Sequence, residues 1–196
     1  MVGMIRHLVK VPGTAVIRAL LLFGLGSVVG GALAGMILGI FGHVFRVGLS
    51  ERMLWFAIAG IGIALALADL GVAGLRTPGF RWQTRYWWWY KLGRSWAWLA
   101  WGLHLGFGLI TVRITSIYWL VALVVLFIVP WYLAPVTMIG YGLGLVTGVA
   151  MMVVLNRFRT LSDGGVARLL EARSNIQVVS AAAILVFVTS VVWHVA

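Results

Sequence analysis

Cysteine is absent from all 196 residues, which excludes disulfides, thiolate redox chemistry, iron–sulfur clusters and Cys-ligated zinc. Acid is almost as scarce. Glu51, Asp69, Asp163 and Glu171 are the whole complement, and only Asp69 stands inside an apolar run, so catalysis by paired carboxylates has no second partner to draw on. Charged residues of either sign make up 10% of the chain. No GxSxG, HExxH, P-loop or GxGxxG pattern occurs in a suitable context, and Gly24-Leu25-Gly26 and Gly140-Tyr141-Gly142 lie within apolar stretches where small size matters more than phosphate binding.

What remains is hydrophobic. The apolar fraction is 63% and mean hydropathy is +1.07, against roughly half apolar and a quarter charged in a soluble domain. No water-soluble packing of this length hides so much apolar surface, so the chain reads as an integral membrane protein. The net charge of +11 comes from 15 Lys and Arg set in short segments between apolar runs. That placement fits anionic headgroups and membrane orientation, and not nucleic acid.

In order, the runs predict an all-α, polytopic transmembrane helix bundle of about six spans in one membrane domain, residues 1–196. The spans fall near 19–45, 53–75, 95–112, 117–133, 134–155 and 176–193. Arg6, Lys10 and Arg18 without an acid place the N-terminus in the cytoplasm, and the run that follows lacks a cleavage pattern, so it is expected to be retained. Pro130 and Pro135 divide a run too long for one crossing. Residues 166–172 read as a short interfacial helix after a turn at Asp163-Gly164-Gly165.

Two polar segments punctuate the runs. Residues 76–94 carry five basic residues and no acid, while 156–177 carry four Arg against two acids. Six full crossings would put these segments on opposite faces, at odds with the positive-inside rule, and a re-entrant segment in place of one crossing would remove the conflict. The spacing of three spans, with a loop before the third, occurs twice. It is compatible with two inverted three-helix halves, an arrangement common in transporters.

The stretch 81–113 is the most distinctive. Arg81, Arg85, Trp87, Trp88, Trp89, Lys91 and Arg94 mix basic and aromatic side chains as an interfacial belt does, and an apolar run follows directly. Gly26, Gly30, Gly35 and Gly39 in the first span, and Gly140, Gly144 and Gly148 in the fifth, form small-xxx-small stripes that invite close helix packing.

Ionisable groups at membrane depth are functional candidates, because placing each there costs a few kcal/mol. Asp69 and His104 are expected at similar depth on antiparallel neighbours, hydrogen-bonded either as a proton or cation relay or as a structural clasp. Arg113 near the opposite interface completes a possible substrate or ion path, or else snorkels. His43 and His194 fall at helix ends, and nothing matches them for a bis-histidine haem or another metal, so no cofactor is named.

The six-span plan, the Gly-rich first helix and Pro130-Trp-Tyr-Leu-Ala-Pro135-Val followed by Gly140-Tyr-Gly-Leu-Gly resemble the small CcdA/DsbD-type thiol-electron transporters. That resemblance implies two inverted three-helix halves. Each half of those proteins bears a Pro-flanked cysteine; this chain has none, so their electron transfer carries over to no position. The expected role is a non-enzymatic subunit packing within a larger membrane complex, or as a homo-oligomer, in a bacterial-type inner membrane. The alternative is a small secondary transporter or channel of CcdA/LysE-like type, moving a small solute or ion.

Overall fold

The computed structural model describes residues 13–46, 48–78, 88–108, 115–158 and 164–195. All regular structure among them is helical: α1 Gly13–Phe45, α2 Glu51–Asp69, a 3-10 turn Val72–Gly74, α3 Trp88–Phe107, α4 Ile117–Phe127, α5 Ala134–Phe158 and α6 Gly164–Val195. Four of these, α1, α2, α5 and α6, contain stretches long and apolar enough to cross a membrane, and α4 is a shorter apolar helix. The helices are those of a membrane protein. Large apolar side chains stand exposed along their lengths, from Ile17 and Leu21 in α1 to Val186 and Trp193 in α6.

Local chemistry sets the ends. Ser50 caps α2, its Oγ accepting from the Met53 amide at 3.3 Å, and Glu51 places a negative charge in the first turn. The chain leaves α2 through Gly71 in the left-handed region (φ 70°). Gly93 (φ 72°) divides α3 into a short N-terminal piece and a longer helix. Pro130 separates α4 from α5, its carbonyl accepting the amides of Leu133 and Ala134. No separate interfacial helix precedes the last span. Residues 164–195 form one continuous helix, because nothing after the Gly164-Gly165 pair breaks it.

α1 is the axis. Its Gly26 and Gly30 lie against the backbone of Leu99, Leu103 and Phe107 in α3, and α3 returns Gly102 and Gly106 against Phe23 and Ser27. On another face Gly31, Gly35 and Gly39 meet Met138, Ala134 and Trp131, and Gly42 meets Leu126 of α4. A Cβ at any of these glycines would collide with backbone or with a packed Cβ, so the helix axes approach closely and dispersion contacts replace a hydrophobic driving force that lipid cannot supply.

The order of these contacts gives the directions. α5 runs antiparallel to α1, whereas both α3 and α4 run parallel to it. α3 follows the first half of α1 and stops beside Gly30; α4 begins there and follows the second half to Arg46. The Tyr118 hydroxyl in the first turn of α4 donates to the Phe107 carbonyl at the end of α3, 2.9 Å away. The two helices are thus laid end to end, in one direction. This corrects an expectation implicit in six separate spans: the third and fourth apolar runs are not antiparallel neighbours.

The core has three parts: Val16, Phe23, Trp98, Trp101 and Val149 between α1, α3 and α5; Ala34, Tyr118, Val125 and Met138 between α1, α4 and α5; and Ile58, Leu120, Ile184 and Val188 between α2, α4 and α6. α4 belongs to two of them. It joins the α1–α3–α5 group to the α2–α6 pair.

Candidate functional site

Where α3 gives way to α4, α2 delivers its last residue. Asp69 is 4% exposed, and its carboxylate accepts four hydrogen bonds. Oδ1 receives the hydroxyls of Thr77 (2.8 Å) and Ser116 (2.7 Å); Oδ2 receives the Ser116 amide (2.9 Å) and the Ser180 hydroxyl (2.6 Å). Ser116 and Ser180 are buried completely or nearly so. Four separate parts of the chain therefore meet at one carboxylate: the end of α2, the loop that follows it, the start of α4 and the middle of α6.

The loop is held there by its own backbone. Gly71, Ala73 (φ 54°) and Gly74 turn the chain back within a few residues, so that Thr77 reaches Asp69 and the Pro78 carbonyl accepts the Trp119 indole N–H at 2.8 Å. Ser116 is the N-cap of α4 but donates its hydroxyl away from the helix, so Asp69 supplies the negative charge that the N-terminal end of α4 requires.

At the other end of α4 the sign reverses. Arg46 donates through Nη1 to the Ile128 carbonyl (2.9 Å), through Nη2 to the Val129 carbonyl and through Nε to Gly42 (3.2 Å). These carbonyls fall where Pro130 stops the helix, and the guanidinium satisfies them next to the negative pole of the dipole. An 11-residue apolar helix is thus clamped at both ends by opposite charges from two other helices. Helix ends carry backbone groups with no partner inside the helix, and here charged side chains supply the partners.

Asp69 is accordingly at the centre of a site, but its expected partner is not there. Among the described residues its partners are Thr77, Ser116 and Ser180. His104 is half-buried on α3, which packs against α1 and α5, whereas α2 packs against α4 and α6. Antiparallel adjacency of the second and third runs was the premise of the pairing, and the end-to-end arrangement of α3 and α4 removes it. Arg113, Arg81, Arg85 and Trp87 lie outside the described residues. Trp88, Trp89, Lys91 and Arg94 open α3, with Lys91 exposed.

No known family, curated protein or solved structure matches this chain. The site must therefore be read from its own chemistry. An open cleft of about 360 Å³ lies between the start of α4 and α6, lined by Thr115, Ile117, Asn175, Ile176, Val179 and Ser180. Its wall is almost wholly apolar, and Ser180, one of the residues that hold Asp69, is part of it. Among the described residues no three His, Asp or Glu side chains gather as a transition-metal site would require.

The stripes on α1 and α5 behave differently. Gly26, Gly30, Gly35 and Gly39 all lie against neighbouring backbone. Gly140, Gly144 and Gly148 are exposed, and among the described residues nothing lies within contact of them. The α5 glycine that does meet α1 closely is Gly142, against Ser27, on the opposite side of the helix.

Sequence reasoning singled out Asp69 and missed Arg46, Thr77, Ser116 and Ser180. Ser116, a hydroxyl residue just before an apolar run, carries a helix-start signal. Ser180 and Thr77 carry no local signal of their role.

Proposed function

We propose that the chain crosses a cell membrane five times, with its N-terminus and both arginine-bearing segments, 76–94 and 156–177, on the cytoplasmic face. The supporting observation is the run of α3 into α4, which makes one interrupted crossing of two apolar runs. Five crossings put both basic segments on the same side as the basic N-terminus, and the conflict with the positive-inside rule disappears. Because the chain has no cysteine, single cysteines report without background. Gln83→Cys and Ser162→Cys should react with a membrane-impermeant maleimide only from the cytoplasmic side, and Ala196→Cys only from the other. Labelling of 83 and 162 from opposite sides would restore six crossings.

Within that membrane we infer a non-enzymatic subunit that packs against other membrane chains or a second copy of itself. The observation that carries this reading is the open stripe Gly140, Gly144 and Gly148, since the small-xxx-small pairs Gly26/Gly30 and Gly35/Gly39 on α1 are filled. Purification in mild detergent from the native host tests it: a discrete larger assembly is expected, lost in Gly144→Leu, and a monomer in every detergent overturns it. A second reading, a small secondary transporter or channel, is favoured by the helix break, the buried carboxylate at it and the adjoining cleft, features of discontinuous transporter helices. Solute or ion flux in proteoliposomes that falls in Asp69→Asn is its test. Any kinship with CcdA/DsbD-type proteins is then one of fold alone.

A further inference from the structure

We infer that Asp69, Thr77, Ser116 and Ser180 form a binding site for a small monovalent cation, with Na⁺ the ion it fits best. The site offers five side-chain oxygens, two from the carboxylate and three from hydroxyls, drawn from four segments of the chain. An all-oxygen set suits a hard cation, and a transition metal finds no nitrogen or sulfur ligand in it.

Charge selects the valence. Among the described residues no Lys, Arg or His pairs with Asp69, so its four hydrogen bonds spread one negative charge without cancelling it. One monovalent ion makes the site neutral. A divalent ion would leave an uncompensated positive charge beside the N-terminal end of α4, which already repels cations.

Geometry selects a small ion. The hydroxyl oxygens stand 2.6 to 2.8 Å from the carboxylate, a compact cluster that small movements would open around an ion. Each hydroxyl keeps two lone pairs while its proton points at Asp69, so rotation of the proton turns a donor into a ligand. The Ser116 amide continues to hold Oδ2, since a carboxylate oxygen has a lone pair to spare.

The cleft between α4 and α6 opens at the surface with an almost wholly apolar wall, and buried Ser180 forms part of its lining. The inference concerns equilibrium binding and stands apart from both the subunit and the transporter readings.

The test is the thermal midpoint of the purified full-length chain in NaCl, KCl and choline chloride at equal ionic strength. A bound ion raises the midpoint in a saturating way, as any ligand of the folded state does. The expected result is a rise with Na⁺, less with K⁺ and none with choline. Ser180→Ala keeps three of the four bonds to Asp69, so it should fold in choline while binding Na⁺ about tenfold more weakly. Asp69→Asn should lose the response entirely. Equal midpoints in Na⁺ and choline would overturn the site, as would a wild-type Na⁺ response in Ser180→Ala. A midpoint that follows pH and ignores Na⁺ would assign the carboxyl to a proton and overturn it too.

Discussion

Glycines four residues apart run along two helices of this molecule, α1, with the pairs Gly26/Gly30 and Gly35/Gly39 on two faces, and α5, with Gly140, Gly144 and Gly148 on one. Along α1 each step of Gly26, Gly30, Gly35 and Gly39 faces backbone of α3 or of the segment that opens α5. Along α5, Gly140, Gly144 and Gly148 face nothing among the described residues. Spacing permits a close approach in both; a partner arrives in only one. The difference lies in what the neighbours offer. α3 answers with Gly102 and Gly106 and α5 with Gly142, so that backbone meets backbone from both sides, while the outer face of α5 meets no helix among the described residues.

The comparison can be broken most forcefully at its tightest point. Gly30→Leu places a side chain where the Leu103 and Phe107 backbone now lies. Overpacking against backbone cannot be relieved by a rotamer change, so a loss of upwards of about 3 kcal/mol is expected, seen as loss of monodisperse protein on size exclusion. Survival of that variant with a wild-type midpoint would mean that the α1–α3 crossing is looser than its geometry.

The filled stripe also seats α4, and the charges at the ends of α4 test whether packing alone would hold it. Asp69→Asn turns an amide N–H₂ toward groups that now donate, leaving donors unpaired in a buried site at a cost of about 2 to 4 kcal/mol. Arg46→Met keeps the apolar stem but frees the Ile128 and Val129 carbonyls, for about 1 to 2 kcal/mol. Both are read as falls in thermal midpoint. A double variant whose loss equals the sum of the two would show the ends of α4 acting independently.

The smallest effect is expected on the open stripe. Gly144→Leu should leave the stability of the isolated chain within about 0.5 kcal/mol, because it fills open space. Its consequence should appear only in the mass of the native assembly. Should Gly144→Leu unfold the isolated chain, the stripe is in use within the fold and the contrast with α1 fails.

Much of the architecture was legible beforehand. Apolar runs of bilayer length announce helices because lipid leaves the backbone no other way to satisfy its polar groups. Asp69 was legible for the same reason, as the sole acid within such a run. Its partners were not: Ser116 and Ser180 lie 47 and 111 residues away, and serine occurs in membrane helices for many reasons. Arg46 carried no signal of its role either, since no local pattern distinguishes an arginine that caps a distant helix from one that snorkels to the headgroups.

The amino-acid sequence by itself determined that this is a helical membrane protein, where its apolar runs lie, and which residues are small enough for close crossings. Those are properties of composition and spacing, set by the demands of the hydrocarbon on any chain. Only the tertiary structure decided that α3 and α4 share one line, which stripe is filled, and which groups converge on Asp69. These depend on the meeting of segments far apart in the chain, and such meetings are chosen by the fit of whole helix faces and by the need to satisfy the polar ends of a half-length helix.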